Sequence, residues 1–193
     1  MLERLTRWSA RVPRIRRLRS RAVEPLLRTH SASFDAPELH AWEARGWLDI
    51  GEAERLNAVA EPIGVPKMVF VVTLGRWRVG RAALSSMWHR LGIPGAWVGG
   101  LVVEPVVRGC GVGRRLLDDI VLTAGHLPGV TELWANVRED NQVSLRLFRS
   151  AGFGVVPHPD WERRIAEHYA RYSRWPGRRD VILRRSVGTG RKT

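Results

Sequence analysis

The stretch RGCGVGRR, residues 108–115, places three glycines at alternate positions between an apolar run and a helical pattern. The glycines are Gly109, Gly111 and Gly113, and the flanking arginines are Arg108, Arg114 and Arg115. A helix that begins here presents unpaired backbone N–H groups and the positive end of its dipole. Because glycine has no Cβ atom, an anion can approach those donors closely. The stretch therefore predicts a site for a phosphate or pyrophosphate group.

Two common phosphate-binding motifs differ from this stretch. A Walker loop needs a lysine directly after its last glycine, and neither Lys67 nor Lys192 follows a glycine, which excludes ordinary P-loop chemistry. A dinucleotide fingerprint read from Gly111 has Leu116 where its third glycine belongs. The acids that could then bind a ribose are Glu132, Glu139 and Asp140. Since a Rossmann domain needs several βαβ units and we identify one, dinucleotide binding stays the weaker alternative.

The elements around the glycines form that βαβ unit. Residues 95–105 predict a buried strand, residues 111–127 a helix with one apolar face, and residues 130–137 a second strand. Strands joined through a helix in this way are parallel. The glycines then lie where the first strand gives way to the helix.

The elements after this unit alternate between helix and strand. We predict a helix over 141–152, which Asn141 caps and Gly152 ends, and a strand over 153–157. A helix over 160–175 and a closing strand over 178–187 follow. Before the unit, we predict an edge strand near Ile15, helices over 22–30, 35–46 and 51–60, and a hairpin around Gly75. The chain therefore predicts one domain with a mixed α/β sheet.

Charge suggests an anionic partner. The net charge is +13 and the pI is about 11.5, and eight arginines lie within residues 1–21. Such a chain attracts nucleic acid, an anionic membrane or a phosphorylated cofactor, although arginines spread over solvated faces would give the same composition. We find no helix-turn-helix, zinc-finger or RNP-like motif, so nucleic-acid binding is possible but not favoured.

Other sequence features narrow the class of protein. The longest apolar runs, such as residues 68–74, are far shorter than the roughly 20 residues of a membrane span. The N-terminus lacks the apolar segment of a secretory signal. The lone Cys110 cannot form an internal disulfide, and no Cys/His cluster has zinc spacing, so we expect no metal. A cytoplasmic location is the expectation.

The pattern Arg-x-x-Gly-x-Gly at 108–113, after a strand ending in LVVEP, resembles the acetyl-CoA-binding motif of the GNAT superfamily of N-acetyltransferases. Residues 133–153 are similar to the second signature of that family, and residues 14–30 resemble its first strand and helix more weakly. The resemblance implies a mostly antiparallel sheet with one parallel pair at the acetyl-CoA site. It implies a domain over 13–187, between a basic extension at 1–12 and a basic tail at 188–193.

The resemblance also implies an activity, the direct transfer of acetyl from acetyl-CoA to a primary amine of a small molecule or protein, by a monomer or homodimer. The backbone amides expected to bind the pyrophosphate belong to Arg108, Gly109, Cys110, Gly111, Val112 and Gly113, together with the Arg114 side chain. Leu101, Val102 and Val103 would pair with the pantetheine arm, and the Val103 amide is the candidate to polarise the thioester. Asn141 would hydrogen-bond near the cofactor, or it simply caps its helix.

The catalytic positions depart from the family pattern. Phe148, which we place at the cofactor, stands where relatives commonly have the tyrosine that protonates the leaving thiolate. Asn136 stands where many relatives carry an acid. A catalytically weak acetyl-CoA-binding module is therefore the alternative function.

Replacement acids could come from the helix over 160–175. Tyr169 and Tyr172 are three residues apart and share a helix face, which makes them candidate acids. The same face carries Trp161 and Ile165, so packing in the core is the alternative role for both tyrosines.

Overall fold

The structure is a computed structural model that describes residues 23–33, 41–42, 44–45, 67–172 and 178–188. Its sheet has seven strands in the order β1-β2-β3-β4-β5-β7-β6. The strands are β1 (Leu27–Ser33), β2 (Met68–Leu74), β3 (Trp77–Ser85), β4 (Ala96–Val103), β5 (Glu132–Arg138), β6 (Gly154–Val155) and β7 (Asp180–Ser186). Every pair is antiparallel except β4 and β5, which are parallel. The predicted mixed sheet with one parallel pair is confirmed.

Three helices cover the two faces of the sheet. They are α1 (Val112–Ala124), α2 (Gln142–Ser150) and α3 (Pro159–Tyr172). Buried residues of α1 and α2 pack with Leu133, Ala135 and Val137 of β5 in the larger core. Ile165 of α3 packs with Trp134 and Trp97 in a second core. Because neighbouring residues of a strand point to opposite faces, α1 and α2 lie on one face and α3 lies on the other.

The predicted helix over 22–30 is wrong. Residues Glu24–Leu26 form one turn of 3-10 helix, and Leu27 already begins β1. Pro25 interrupts the helical pattern, and β1 pairs with β2 along its whole length, from Leu27 with Leu74 to Ser33 with Met68. A helix of nine residues is marginal alone, so pairing with a neighbouring strand overrides it.

Several other predictions fall wholly or partly outside the described residues. They are the edge strand near Ile15, the helix over 51–60 and the end segments 1–12 and 188–193. Of the helix over 35–46, residues 41, 42 and 44 are helical. The hairpin around Gly75 is confirmed as β2 and β3, while the strand over 153–157 is limited to Gly154–Val155.

Candidate active site

Strands β4 and β5 separate after a short stretch of pairing. They pair only at Ala96 with Leu133 and at Trp97 with Trp134, yet β4 continues to Val103 and β5 to Arg138. A bulge in β4 begins at Gly100, whose φ is +58°, and shifts the register of β4 against β3. The result is a gap that lies between the carboxyl-terminal halves of two parallel strands.

The backbone of β4 presents hydrogen-bonding groups to this gap. The Glu104 N–H donates to the Val79 carbonyl of β3 at 2.9 Å. Because successive residues of a strand direct their N–H groups to alternate sides, the Val103 N–H faces away from β3 and toward the gap. The Val103 carbonyl accepts a hydrogen bond from Arg108 Nε at 3.2 Å. The Val103 N–H is therefore a donor on the edge of the gap.

The glycine loop follows directly and ends at the first turn of α1. Gly109 and Gly111 have φ values of +80° and +82°, which favour glycine. Gly111 is the N-cap residue and caps the helix with no side chain, and the Arg115 N–H makes the first helical bond, to the Gly111 carbonyl at 2.9 Å. The N–H groups of residues 112–114 precede that bond. They form a donor set for an anion, and two of them, Val112 and Gly113, belong to the amides that the sequence predicts for the pyrophosphate.

Packing against the larger core holds the glycine loop in place. Val107 and Cys110 are buried in the larger core, where the Cys110 thiol lies among apolar side chains. A Cβ atom on Gly113 would lie 2.9 Å from Leu147 Cδ2, so glycine at this position allows α1 to approach α2 closely. The Cys110 side chain therefore faces the core, and the Arg108 and Cys110 N–H groups donate to the Pro105 and Val107 carbonyls at 3.4 and 3.2 Å.

The arginines after the loop are engaged by the protein. Arg114 Nε donates to both carboxylate oxygens of Asp118, and Nη1 donates to the Ser150 carbonyl at 2.8 Å. Arg115 Nε donates to Thr29 Oγ1 at 2.9 Å. The two arginines thus connect α1 to the end of α2 and to β1.

One acidic side chain beside the loop was missed by the sequence analysis. The Glu24 carboxyl carbon lies 3.9 Å from the position that a Cβ atom on Gly111 would occupy. Glu24 belongs to the exposed turn before β1, about 90 residues away in sequence, so no local signal pointed to the loop. A negative charge therefore lies next to the donor set.

Asn141 and Phe148 both have structural roles in α2. The Ser144 N–H donates to Asn141 Oδ1 at 3.1 Å, which is the N-cap hydrogen bond predicted as one alternative. Phe148 is buried, and its ring makes an edge contact with Phe153 at 5.1 Å between centroids. The Asn141 side-chain N–H₂ group is not needed for the cap.

The α3 face of the gap carries an aromatic cluster around Trp88. Its indole Nε1 donates to Asn136 Oδ1 at 3.1 Å, and its ring makes edge contacts with His168 and Tyr169. The Arg178 guanidinium lies 3.6 Å above the Tyr169 ring. Burial, together with the charge of Arg171, lowers the pKa of His168. Tyr172 is the last residue of α3, and its side chain lies outside the described part of the chain.

Comparison with known proteins identifies this arrangement. The sequence pattern of the acetyltransferase (GNAT) family matches residues 26–153. The chain belongs to the GNAT family. The match confirms the predicted resemblance and places the chain in a family of acyltransferase enzymes.

Solved structures share the GNAT fold with this chain at low sequence identity. The ribosomal-protein-S18-alanine N-acetyltransferase of Escherichia coli is 18% identical, with a TM-score of 0.51 over 83% of this chain and 95% of its own. The IAA acetyltransferase of Bacillus cereus is 16% identical, with a TM-score of 0.55 over 83% and 99%. A GNAT acetyltransferase of Elizabethkingia anophelis, solved with acetyl-CoA bound, is 12% identical, with a TM-score of 0.54 over 84% and 99%.

A curated relative matches a short part of the chain. An uncharacterised protein of Mycobacterium leprae is 42% identical over 53 residues, which are 28% of this chain and 14% of that protein. The match therefore spans about one seventh of the relative's length.

A cleft of about 510 Å³ lies beside α3 in this GNAT chain. Its lining residues are Glu139, Val155, Pro157, Pro159, Glu162, Arg163, Ala166, Arg178, Arg179, Asp180 and Val181. Arg178 also contacts Tyr169, so the cleft adjoins the cluster around Trp88. Within the described ranges, no helix has the length and apolar character of a membrane span, and no cluster of three potential metal-ligating side chains occurs.

Proposed function

We propose that this chain transfers an acetyl group from acetyl-CoA to a primary amine of an acceptor. One observation carries the proposal: the unpaired edge of β4 runs along a gap and ends at the open N-terminus of α1. An extended arm pairs with such an edge, and a pyrophosphate binds such a helix end. The proposed cofactor-binding residues are Leu101, Val102, Val103, Arg108, Gly109, Cys110, Gly111, Val112, Gly113, Arg114, Asn141 and Phe148.

The proposed reaction is a direct transfer, with no covalent intermediate on the protein. The amine nitrogen forms a bond to the thioester carbon, and the C–S bond breaks with its electron pair going to the sulfur of CoA. The nitrogen loses one proton to solvent as the amide forms. The Val103 N–H donates to the carbonyl oxygen as negative charge develops there. Holding the two reactants together in the gap supplies the orientation. The protein therefore acts mainly by positioning and by hydrogen bonding.

Departure of the CoA sulfur does not depend on a general acid. An alkyl thiol has a pKa of about 8.5, so its thiolate is a tolerable leaving group without protonation. General acid catalysis adds about 10² to 10⁴ in rate where it operates. Tyr169 and Tyr172 remain the candidate acids, and the contact of Tyr169 with Trp88 supports its placement near the gap.

The acceptor is a small molecule or a protein with a primary amine. The cleft beside α3 supports binding of the acceptor on this side of the sheet, since it adjoins Tyr169 through Arg178. A cytoplasmic location and a monomeric or homodimeric state remain predictions.

Isothermal titration of acetyl-CoA tests the binding part of the proposal. Gly111→Glu puts a carboxylate among the loop donors and should weaken binding at least tenfold, by charge repulsion and backbone strain. Gly129→Glu is the matched control, because Gly129 has φ +75° and open space around it but lies after α1, at the far end of that helix. Equal affinity of wild type and Gly111→Glu would contradict the cofactor site.

Release of CoA thiol with a panel of primary amines tests the transfer. Wild type should release thiol in proportion to amine consumed. A second candidate function is a binding module without turnover, which the amide at Asn136 and the buried Phe148 favour. Tight acetyl-CoA binding with no thiol release from any amine would support the module and contradict the transferase.

A further inference from the structure

Asn136 lies at the inner end of the gap, on the face of the sheet that α3 covers. It is two residues beyond Trp134, where pairing between β4 and β5 ends. Its neighbours Ala135 and Val137 belong to the larger core, so the Asn136 side chain points to the opposite face. A pantetheine arm that enters from the glycine loop would bring its sulfur end toward this level.

Hydrogen bonding to Trp88 fixes the orientation of the Asn136 amide. An indole N–H can only donate, so the atom that lies 3.1 Å from Trp88 Nε1 must be the amide oxygen. The Nδ2 group therefore points away from Trp88, and it has no hydrogen-bond partner among the described residues. Trp88 is itself buried against His168 and Tyr169. The site thus holds two N–H donors in a fixed direction.

Among the described residues, apolar side chains fill one face of the sheet beside the gap. Leu117 and Ile120 of α1 and Leu145 and Phe148 of α2 are buried in the larger core on that face. On the α3 face, Met87 lies over Gly99, and the paired part of the strands is covered by Trp97 and Ile165. Among the described residues, Asn136 lies on the α3 face just beyond this covered part, next to Trp88.

We propose that Asn136 determines acceptor specificity by donating hydrogen bonds from Nδ2 to an oxygen atom next to the reacting amine, with Trp88 as its positioning residue. The acceptor class is thus an amine with a neighbouring carbonyl or hydroxyl oxygen. This inference depends on the proposed acetyl transfer. An amide nitrogen is not basic, so Asn136 leaves the proton of the amine to another group.

The variant Asn136→Asp removes the hydrogen-bond donors of the side chain without removing the side chain itself. It keeps the size of the side chain and an oxygen for the Trp88 indole, but it replaces the N–H₂ donors with a carboxylate oxygen. Glycinamide and ethylamine are matched acceptors that differ by the carbonyl group. A site built to hydrogen-bond its substrate discriminates strongly against analogues that lack the bond. The ratio of kcat/KM for glycinamide to that for ethylamine should fall about tenfold or more in Asn136→Asp.

Two further variants complete the kinetic test. Trp88→Phe removes the indole donor and should lower the same ratio through KM for glycinamide, with acetyl-CoA affinity retained. Gln142→Glu makes the same amide-to-acid change on exposed α2 and should leave the ratio as in wild type. An unchanged ratio in Asn136→Asp would overturn the proposal, as would a higher ratio.

A binding measurement distinguishes a failure of the Asn136 proposal from a failure of the proposed acetyl transfer. In the complex with CoA, which lacks an acetyl group to transfer, the Asn136 side-chain amide signals in a ¹H–¹⁵N spectrum should shift on adding glycinamide and not ethylamine. Signals that respond equally to both amines would contradict the role of Asn136. Failure of wild type to acetylate either amine, with this selective shift present, would count against acetyl transfer alone.

Discussion

A Cβ atom on Gly80 of β3 would lie 2.6 Å from Cγ1 of Val112, the first residue of α1. The same atom would lie 3.3 Å from Leu116 Cδ1, one turn further along the helix. Strand β3 therefore has a glycine where the first turns of α1 cross it. This close approach fixes the distance between the sheet and the N-terminus of α1. It therefore also fixes the position of the loop N–H donors relative to the gap.

Gly80→Ala should destabilise the protein and weaken acetyl-CoA binding together. The added methyl group must displace Val112, and overpacking of this kind costs about 1–3 kcal/mol. Urea unfolding measures the loss of stability, and titration calorimetry measures the affinity. Gly154→Ala is the control, because a Cβ atom there meets nothing within 4 Å. A Gly80→Ala protein as stable as Gly154→Ala would show that α1 can move away from β3 at no cost.

Removing the charge of Glu24 should strengthen acetyl-CoA binding. Its carboxyl carbon lies 3.9 Å from the Cβ position of Gly111, so it repels a pyrophosphate at the loop. Glu24→Gln should lower the Kd about two- to fivefold at low salt, since exposed charge pairs contribute up to about 1 kcal/mol. The gain should shrink in high salt because of screening. Glu132→Gln is the control, because Glu132 begins β5 at the end away from the gap, and it should give no gain. Equal Kd values for wild type and Glu24→Gln would contradict the contact.

Two substitutions at Asn141 separate helix capping from cofactor binding. Asn141→Ala loses the bond to the Ser144 N–H and should cost about 1 kcal/mol of stability. Asn141→Asp keeps an oxygen for that bond and adds a charge that suits a helix N-terminus, so stability should be retained. If the N–H₂ group also binds the cofactor, Asn141→Asp weakens acetyl-CoA binding while its Tm stays high. An unaltered affinity in Asn141→Asp would limit Asn141 to capping.

Stability should fall as the pH drops through the range where His168 titrates. Burial first, and the Arg171 charge second, lower the pKa of His168 from its ordinary value of 6.5, so the unfolded chain binds the proton at higher pH than the folded chain does. The unfolded state therefore gains protons first, and the free energy of unfolding declines below about pH 6.5. His168→Gln cannot titrate and should show a smaller loss of Tm between pH 7.5 and pH 5.5. Identical losses in both proteins would contradict the shifted pKa.

Local sequence signals correctly predicted the elements whose ends are marked by glycines or by a helix-capping residue. Gly109 and Gly111 adopt the positive φ angles that a glycine pattern favours, and Asn141 caps α2 as its position suggested. The segment at 22–30 misled the prediction, because its apolar spacing fits a short helix while the pairing of β1 with β2 depends on residues more than 30 positions away. Propensity over so few residues is weaker than a full set of ladder hydrogen bonds.

The sequence by itself determined the βαβ unit, the glycine loop at the start of α1 and the absence of a catalytic acid at residues 136 and 148, because residue types and their local spacing specify these features. The tertiary structure alone decided where β4 and β5 separate, how the Ser150 carbonyl engages Arg114, and that Trp88 orients Asn136 across 48 residues of sequence. These features depend on which distant side chains the packed sheet and helices bring together, and no local pattern encodes such contacts.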